Sequence, residues 1–330
     1  MKILGMGNAL VDVLARMKND DLLEELNLPK GSMNLIDVHS RNHIFGKMEN
    51  MDIKITTGGS AGNTCLAMSK MGMDAGFIGK VGADDYGKFY IEEFEQTGIT
   101  PHFIYKEDRS GTAMALISPD GERTFGTYLG VAAELEKSDI RKDVFQEYTH
   151  FYIEGYLVQN HELIEEALST AKSLGLKVAI DLASFNVVEE DKEFIQSLVD
   201  KYVDIVFANE EEAKALTGKE AKEAVQEIGS KIQIAVVKVG REGSWVMHEG
   251  DLVHVAVDPL TPVDTTAAGD YYAAGFFYGL ANQASIYQCA QIGSLLAGQI
   301  IQVVGTKLTE DNWAEIRTNV EKILTECGNN

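Results

Sequence analysis

The sequence predicts an α/β fold in which a mostly parallel central sheet is covered by helices on both faces. The main observation is the alternation of short apolar, strand-like runs with amphipathic, helix-like stretches, which is the pattern of such folds. A second observation is that the 330 residues contain no repeat, no low-complexity tract and only five prolines. Nothing therefore marks an independent second domain, and we expect one domain over residues 1–330.

The strand-like runs define the central sheet. They are residues 2–6, 74–81, 149–154, 177–181, 205–208 and 234–239, and the helix-like stretches include residues 61–71, 89–96, 163–174 and 210–216. Residues 285–304 are small and apolar with almost no charge. A helix of that composition is expected to be buried against the sheet.

Residues 103–128 break this alternation. Two β-rich runs flank Ser118-Pro119-Asp120-Gly121, a strong turn signal, and so predict a hairpin. With residues 11–17 and 32–37, the hairpin could build a small separate sheet. An edge hairpin of the main sheet fits the sequence equally well.

Composition restricts the partners of the chain. The net charge is −22, from 29 basic and 51 acidic residues, which argues against nucleic acid and anionic membranes as partners. Any phosphate must then be held by local groups against an unfavourable overall field. Cys65, Cys289 and Cys327 have no metal or redox spacing, and the amino-terminal residues have no signal-peptide profile, so we expect a cytoplasmic protein.

The most informative segment for function is Asp264-Thr-Thr-Ala-Ala-Gly-Asp270, which an apolar stretch, residues 271–281, follows at once. The small residues predict a tight turn where a helix begins, with first-turn N–H groups free to bind an anion. Asp270 lies beside that site and would repel a bound phosphate, so it makes sense as a base that takes a proton from an attacking hydroxyl. The alternative is a helix-capping aspartate.

Other turns also follow predicted strands. Gly58-Gly59-Ser60-Ala61-Gly62-Asn63 opens a helix and lets a ligand approach the backbone closely, although a plain helix entry has the same pattern. Asn209 to Glu212 and Lys238 to Gly243 lie at the carboxyl edge of the sheet, where ligands bind in such folds. Asp181, at another strand end, is a weaker candidate.

Three patterns are misleading. Residues 82–88 match the start of a phosphate-binding loop, but Phe89 replaces the hydroxyl that holds magnesium, and Asp84 and Asp85 would repel phosphate. Gly5-Met6-Gly7 lacks the third glycine of a dinucleotide-binding turn. His39 and His43 are four residues apart but have no evident third ligand.

Arg123 is the isolated cation that we consider the best candidate to approach a phosphate, with an ordinary surface cation as the favoured alternative.

These segments resemble the ribokinase-like (PfkB) carbohydrate kinase family. Residues 58–64, 81–84 with Gly87, 209–212 and 264–270 match its motifs in order, and residues 5–12, Gly-Met-Gly-Asn-Ala-Leu-Val-Asp, look most like the adenosine-kinase branch. Ala267 stands where many members have glycine. The resemblance implies a ribokinase-like three-layer sandwich with a small β-sheet lid built from about residues 10–52 and 100–130.

The resemblance also implies roles for individual residues. Asp270 is the base, and the N–H groups of Ala267, Ala268 and Gly269 stabilise the transferring phosphoryl group. The implied acceptor-binding residues are Asn8, Asp12, Gly58, Gly59 and Asn63. The implied nucleotide-binding residues are Asn209, Lys238, Gly240, Gly243 and Asp181. Glu212 would hold Mg²⁺ through water, and Asp264 and Thr266 would lie beside a monovalent cation such as K⁺.

The sequence is therefore interpreted as an ATP-dependent kinase for a primary hydroxyl of a nucleoside such as adenosine, or of a sugar, with a homodimer left open. Met33, Leu35 and Leu116 are expected to form an apolar bed for a base, or else an ordinary lid core. A ribokinase- or fructokinase-type enzyme is the alternative. A dinucleotide-dependent oxidoreductase and a non-catalytic sugar- or nucleotide-binding protein are the rivals from other classes.

Overall fold

The strands follow the predicted alternation with helices. A computed structural model describes residues 1–258 and 260–325, so Cys327 lies outside the described part. In chain order the strands are β1 (Lys2–Met6), β2 (Leu10–Arg16), β3 (Met33–Leu35), β4 (Ile53–Gly58), β5 (Asp74–Gly82), β6 (Thr100–Lys106), β7 (Gly111–Ile117), β8 (Arg123–Tyr128), β9 (His150–Glu154), β10 (Lys177–Asp181), β11 (Ile205–Asn209), β12 (Ile234–Lys238), β13 (Ser244–His248) and β14 (Asp251–Val255).

The helices occupy the connections. They are α1 (Asp21–Glu25), α2 (Val38–Met48), α3 (Ser60–Lys70), α4 (Asp85–Gln96), α5 (Lys142–Phe145), α6 (His161–Ser173), α7 (Phe185–Glu190), α8 (Lys192–Tyr202), α9 (Glu210–Thr217), α10 (Ala221–Gly229), α11 (Ala268–Ala281), α12 (Ile286–Ile300) and α13 (Glu310–Thr325). Between residues 1 and 325, with residue 259 left aside, no helix combines the length and apolar character that a membrane span needs.

The central sheet is mostly parallel, as predicted. It has nine strands in the order β14-β13-β12-β11-β10-β9-β1-β5-β6, and only the β12–β13 and β13–β14 pairs are antiparallel. Neighbouring side chains of one strand enter different cores, since Ile3 belongs to one buried cluster and Leu4 to the other. Both faces are therefore covered, which explains why these strands are apolar throughout rather than alternating.

The hairpin is part of a separate sheet, so the edge-hairpin alternative is excluded. Strands β7 and β8 pair antiparallel across the Ser118–Glu122 turn, and the five-stranded sheet has the order β3-β8-β7-β2-β4. The expected boundaries differ in two places. Residues 100–106 pair with β5 in the large sheet, because α4 returns the chain alongside it, and Ile53–Gly58 joins the small sheet beside β2.

Helix α12 is buried along one side, whereas its other residues are half-buried or, at Tyr287, exposed, and the helix ends at Ile300. It packs closely on α11, because a side chain at Gly275 would stand 2.6 Å from the carbonyl oxygen of Ile292 and one at Gly293 would stand 2.8 Å from that of Tyr272. Small residues let the two backbones approach to that distance. The contact fixes α11, whose amino-terminal end carries the most informative motif.

Candidate active site

The candidate site lies at the carboxyl ends of the central strands, opposite the amino-terminal end of α11. Polar residues end four neighbouring parallel strands: Glu154 on β9, Asp181 on β10, Asn209 on β11 and Lys238 on β12. Because parallel strands bring their carboxyl ends to one edge, residues far apart in sequence converge there.

The turn before α11 presents backbone donors. Ala267 adopts a left-handed conformation with φ of 64° at the helix N-cap, which is costly for a residue with a side chain. Within the described residues, the N–H groups of Ala267 and Gly269 have no hydrogen-bond partner, whereas Ala268 donates to the Thr265 carbonyl oxygen at 3.2 Å. The expectation of three free N–H groups therefore reduces to two, because the turn itself uses the one on Ala268.

Asp270 faces two side-chain donors from α3. The Ser60 hydroxyl donates to its Oδ1 at 2.7 Å, and the Asn63 amide donates to its Oδ2 at 2.9 Å. Burial raises the pKa of Asp270 from 3.8 to about 7, while these two hydrogen bonds oppose the shift. A carboxylate with a pKa near neutrality is suited to general-base catalysis. Its oxygens cap no described backbone N–H, so the helix-cap alternative has no support in the geometry.

Asn63 has a second feature that points to a ligand. It is 5% exposed, and its Oδ1 is a buried acceptor without a hydrogen-bond partner among the described residues. Leaving such an acceptor unpaired costs roughly 1–3 kcal/mol. A hydroxyl bound next to Asp270 would satisfy it.

The glycines before α3 allow close contact with the amino-terminal segment. A Cβ atom at Gly58 would collide with the Asp12 carboxylate, and one at Gly59, whose φ is +87°, would collide with the carbonyl oxygen of Asn8. Burial raises the pKa of Asp12 to about 7, whereas Arg123 opposes the shift. The structure thus brings the five residues expected to bind the acceptor to one place.

Sequence reasoning missed Ser60 and Glu154. One oxygen of the Glu154 carboxylate accepts hydrogen bonds from the backbone N–H and the side-chain amide of Asn8, and the other accepts from the Ala61 N–H, each at 2.9 Å. Burial raises the pKa of Glu154 to about 7, although these hydrogen bonds act to lower it. An acidic residue that ends an apolar strand was the available signal. Glu154 fixes Asn8 and the start of α3 relative to each other.

Lys238 places a cation next to the turn before α11. Its Nζ lies 3.1 Å from Asp181 Oδ2, and a Cβ at Gly269 would stand only 2.9 Å from that Nζ. Burial alone would lower the pKa of Lys238, but the carboxylates of Asp181 and Glu212 raise it above its ordinary value. The charged lysine offsets the acidic groups around an anion site.

The strand-to-turn junctions differ in how open they are. Space around Gly240 is free within 4 Å of a hypothetical Cβ, whereas Gly243 packs against the carbonyl oxygen of Val255. Gly240 therefore fits close approach of a ligand, and Gly243 is required by packing of the β13–β14 hairpin. The expectation that both glycines contact a nucleotide finds geometric support at Gly240 alone.

Asn209 and Glu212 form a reciprocal cap at the start of α9. Glu212 Oε2 accepts from the Asn209 N–H and Oε1 from its side-chain amide, while Asn209 Oδ1 accepts from the Glu212 N–H, all at 2.8 Å. Burial and Asp181 raise the pKa of Glu212 to about 7. Each carboxylate oxygen keeps a lone pair, which fits contact with a hydrated cation. The described residues contain no cluster of three or more acidic, histidine or cysteine side chains that could hold a metal directly.

The structure shows the surroundings of two of the misleading patterns. The Asp84 carboxylate accepts from the Gly87 N–H and from Ser110, so the start of α4 is filled by the protein's own side chain rather than open to phosphate. His39 and His43 are both exposed on α2.

Comparisons with known proteins agree with this geometry. The family described as pfkB family carbohydrate kinase matches residues 28–313. An uncharacterised sugar kinase of Archaeoglobus fulgidus is 28% identical over 254 residues, covering 73% of this chain and 97% of the relative. The 5-dehydro-2-deoxygluconokinase of Bacillus subtilis is 27% identical over 282 residues, covering 81% and 87%.

Solved structures are similar over nearly the whole chain. Adenosine kinase from Sinorhizobium meliloti is 32% identical with a TM-score of 0.86, covering 96% of this chain and 99% of that one. A probable sugar kinase from Rhizobium etli is 30% identical with a TM-score of 0.86, covering 97% and 98%. The neighbours thus include both nucleoside and sugar kinases.

Proposed function

The chain belongs to the pfkB family of carbohydrate kinases, and we propose that it uses ATP to phosphorylate a primary hydroxyl of an adenosine-like nucleoside. Family membership makes it a phosphotransferase with an alcohol group as acceptor. The observation that carries the catalytic part of the proposal is Asp270, a half-buried carboxylate with a pKa of about 7 next to two free backbone N–H groups.

In the proposed reaction, Asp270 takes the proton of the acceptor hydroxyl as that oxygen attacks the terminal phosphorus of ATP. The bond from this phosphorus to the bridging oxygen breaks, and ADP leaves. The N–H groups of Ala267 and Gly269 and the ammonium of Lys238 stabilise the charge on the transferring group. Catalysis of phosphoryl transfer depends mostly on positioning and electrostatics. A turn, one base and one lysine can supply both.

Asn8, Asp12 and Asn63 are the proposed acceptor-binding residues. Asp12 offers a carboxylate to vicinal hydroxyls, and Asn63 offers its unpaired Oδ1. Glu154 accepts from one N–H of the Asn8 side-chain amide, so the second N–H and the side-chain Oδ1 are the atoms left for a substrate.

The nucleotide phosphates are assigned to the edge formed by Asp181, Asn209, Lys238 and Gly240. Magnesium on the phosphates would neutralise part of their charge. Glu212, with Asp181 near it, fits an outer-sphere contact to such an ion through water.

Two lid residues support a nucleoside acceptor. In the small sheet, Asp12 pairs with Ala113, Ala113 with Thr127, and Thr127 with Leu35. Paired residues share a face, so Leu35 lies on the same face as Asp12. Met33, two residues before Leu35, lies on that face as well. Both are open, with 57% of Met33 and 66% of Leu35 exposed. Apolar groups on the substrate-facing side suit the faces of a purine.

The third residue expected in that bed does not fit. Leu116 lies between Ala115 and Ile117, on the opposite face of β7, and is fully buried in the main core. Alternation along a strand decides this, because shifting by one residue moves a side chain to the other face.

A sugar acceptor is the second candidate. The relatives include enzymes named fructokinase and 5-dehydro-2-deoxygluconokinase at 27–29% identity. We therefore propose measuring ADP release with adenosine, ribose, fructose and 5-dehydro-2-deoxygluconate, followed by pairwise competition.

Adenosine is expected to suppress phosphorylation of each sugar at a far lower concentration than the sugar needs to suppress adenosine turnover. Replacing Leu35 by Asp should weaken the binding of adenosine more than that of ribose, because only the base would contact Leu35. A free sugar that wins the competition would overturn the nucleoside assignment and leave the kinase assignment intact.

A further inference from the structure

The small sheet contributes a buried arginine to the turn before α11. Arg123 begins β8, and its Nη2 lies 2.7 Å from Asp264 Oδ2, with only 8% and 6% of the two side chains exposed. Asp12 is the other carboxylate whose charge acts on Arg123. Arg123 is therefore not the ordinary surface cation that its sequence context favours. Its ion pair with Asp264 joins the small sheet to the start of the Asp264–Asp270 segment.

Asp264 is already engaged on both oxygens. Oδ1 accepts from the Thr266 N–H at 3.0 Å, and Oδ2 accepts from the Gly305 N–H at 2.8 Å while it faces Arg123. The family resemblance implies a monovalent cation beside Asp264 and Thr266. A second cation at this carboxylate would meet the guanidinium at close range in a low-dielectric setting, where like charges repel strongly. The residues present do not fit such an ion.

We propose that the guanidinium of Arg123 takes the place of a monovalent cation at Asp264 and holds the anion-binding turn in position without one. The inference rests on the proposed role of the Ala267 and Gly269 N–H groups. Arg123 acts through Asp264, whose bond to Thr266 fixes the chain one residue before Ala267. It is thus a positioning residue.

Further contacts connect this ion pair to the small sheet and to α11. Val304 packs against a cluster formed by Leu14, Ala115, Ile117 and Phe125. This cluster lies on the face of the small sheet that carries Arg123, which pairs with Ile117. The next residue, Gly305, donates to Asp264. Thr306 then accepts from the hydroxyl of Tyr271 on α11 through its carbonyl oxygen. The segment 304–306 therefore connects the small sheet, Asp264 and α11.

An arginine suits this position better than a bound ion or a lysine. A guanidinium stays charged at every pH relevant to proteins, is less strongly hydrated than an ammonium, and is planar. Its charge also does not depend on the salt present. The consequence is an enzyme whose rate is the same in potassium, sodium or an organic cation.

The test compares wild type, Arg123→Gln, Arg123→Lys and a matched control, Arg141→Gln, which removes an exposed arginine from an ion pair with Asp143. Initial rates and melting temperatures are measured in KCl, NaCl and choline chloride at equal ionic strength. We expect wild type and Arg141→Gln to show equal rates and melting temperatures in the three salts. Arg123→Gln should lose roughly tenfold or more in kcat in choline, and KCl should restore part of the rate and raise its melting temperature.

Arg123→Lys should keep most of the rate, because it retains the charge. Activation of wild type by KCl over choline, or a melting temperature raised by K⁺ alone, would overturn the inference. So would an Arg123→Gln enzyme that behaves like Arg141→Gln. Failure of the proposed function would look different: wild type would transfer phosphate to no acceptor, while its melting temperatures would still report on cation binding.

Discussion

Replacing Asp270 by Asn tests the base and its electrostatic environment together. The change keeps the size of the side chain and removes its ability to accept a proton. We expect kcat to fall by roughly 10²–10⁴ with little change in the KM for ATP. The amide is accommodated locally, because its oxygen can keep the bond from the Asn63 amide while its N–H group donates to the Ser60 hydroxyl, which can serve as donor or acceptor.

The same substitution should stabilise the protein. Asp270 has a folded-state pKa of about 7 against 3.8 for a free carboxyl, so between these values the folded state holds a proton that the unfolded state has lost. Stability contributed by that proton is present below pH 3.8 and is lost as the pH rises to about 7. The full shift corresponds to about 4 kcal/mol. Asp270→Asn avoids this cost, and its gain over wild type should grow from pH 4 to pH 8.

Two measurements decide the outcome. Rates of ADP release between pH 5.5 and 9 should rise through about pH 7 in wild type and lose that dependence in the variant. Melting temperatures at pH 5 and pH 8 should show the larger stabilisation at pH 8. Asp311→Asn, at an exposed position early in α13, is the control. A variant with near-normal turnover, or one less stable than wild type at pH 8, would refute the reasoning.

Three further substitutions test other parts of the site. Asp12→Ala should raise the KM for the acceptor by a factor that corresponds to roughly 1.5–3 kcal/mol and leave the KM for ATP unchanged; a change in the ATP constant instead would reverse the assignment of the two halves. Glu154→Gln replaces one of two acceptor oxygens with an amide group that would face other donors. It should lower kcat/KM for the acceptor by about tenfold without affecting ATP binding. Equal effects on both substrates would indicate a general structural role. Ala267→Gly should raise the free energy of unfolding by about 0.5–1 kcal/mol, because it relieves the left-handed conformation, with activity retained; chemical denaturation would show a decrease if the turn were unstrained.

Much of the fold could be predicted because it depends on local periodicity. The apolar runs at residues 177–181 and 205–208 correspond to β10 and β11, since strands buried on both faces must be apolar throughout. The turn at residues 118–121 predicted the β7–β8 hairpin for an equally local reason. The place of Thr100–Lys106 was not predictable in this way, because an apolar run does not specify which strand it will pair with.

The sequence alone determined the motif at residues 264–270, its position before a helix, and the chemistry that small residues and one carboxylate allow there. The tertiary structure decided which side chains meet that motif. Ser60 reaches Asp270 across 210 residues of chain, and Arg123 and Lys238 approach the turn from two different sheets. Burial then raises the pKa of Asp270, whereas the hydrogen bond from Ser60 and the charge of Lys238 oppose that shift. A motif consists of residues adjacent in sequence, whereas desolvation and ion pairing depend on packing between residues that are distant in sequence.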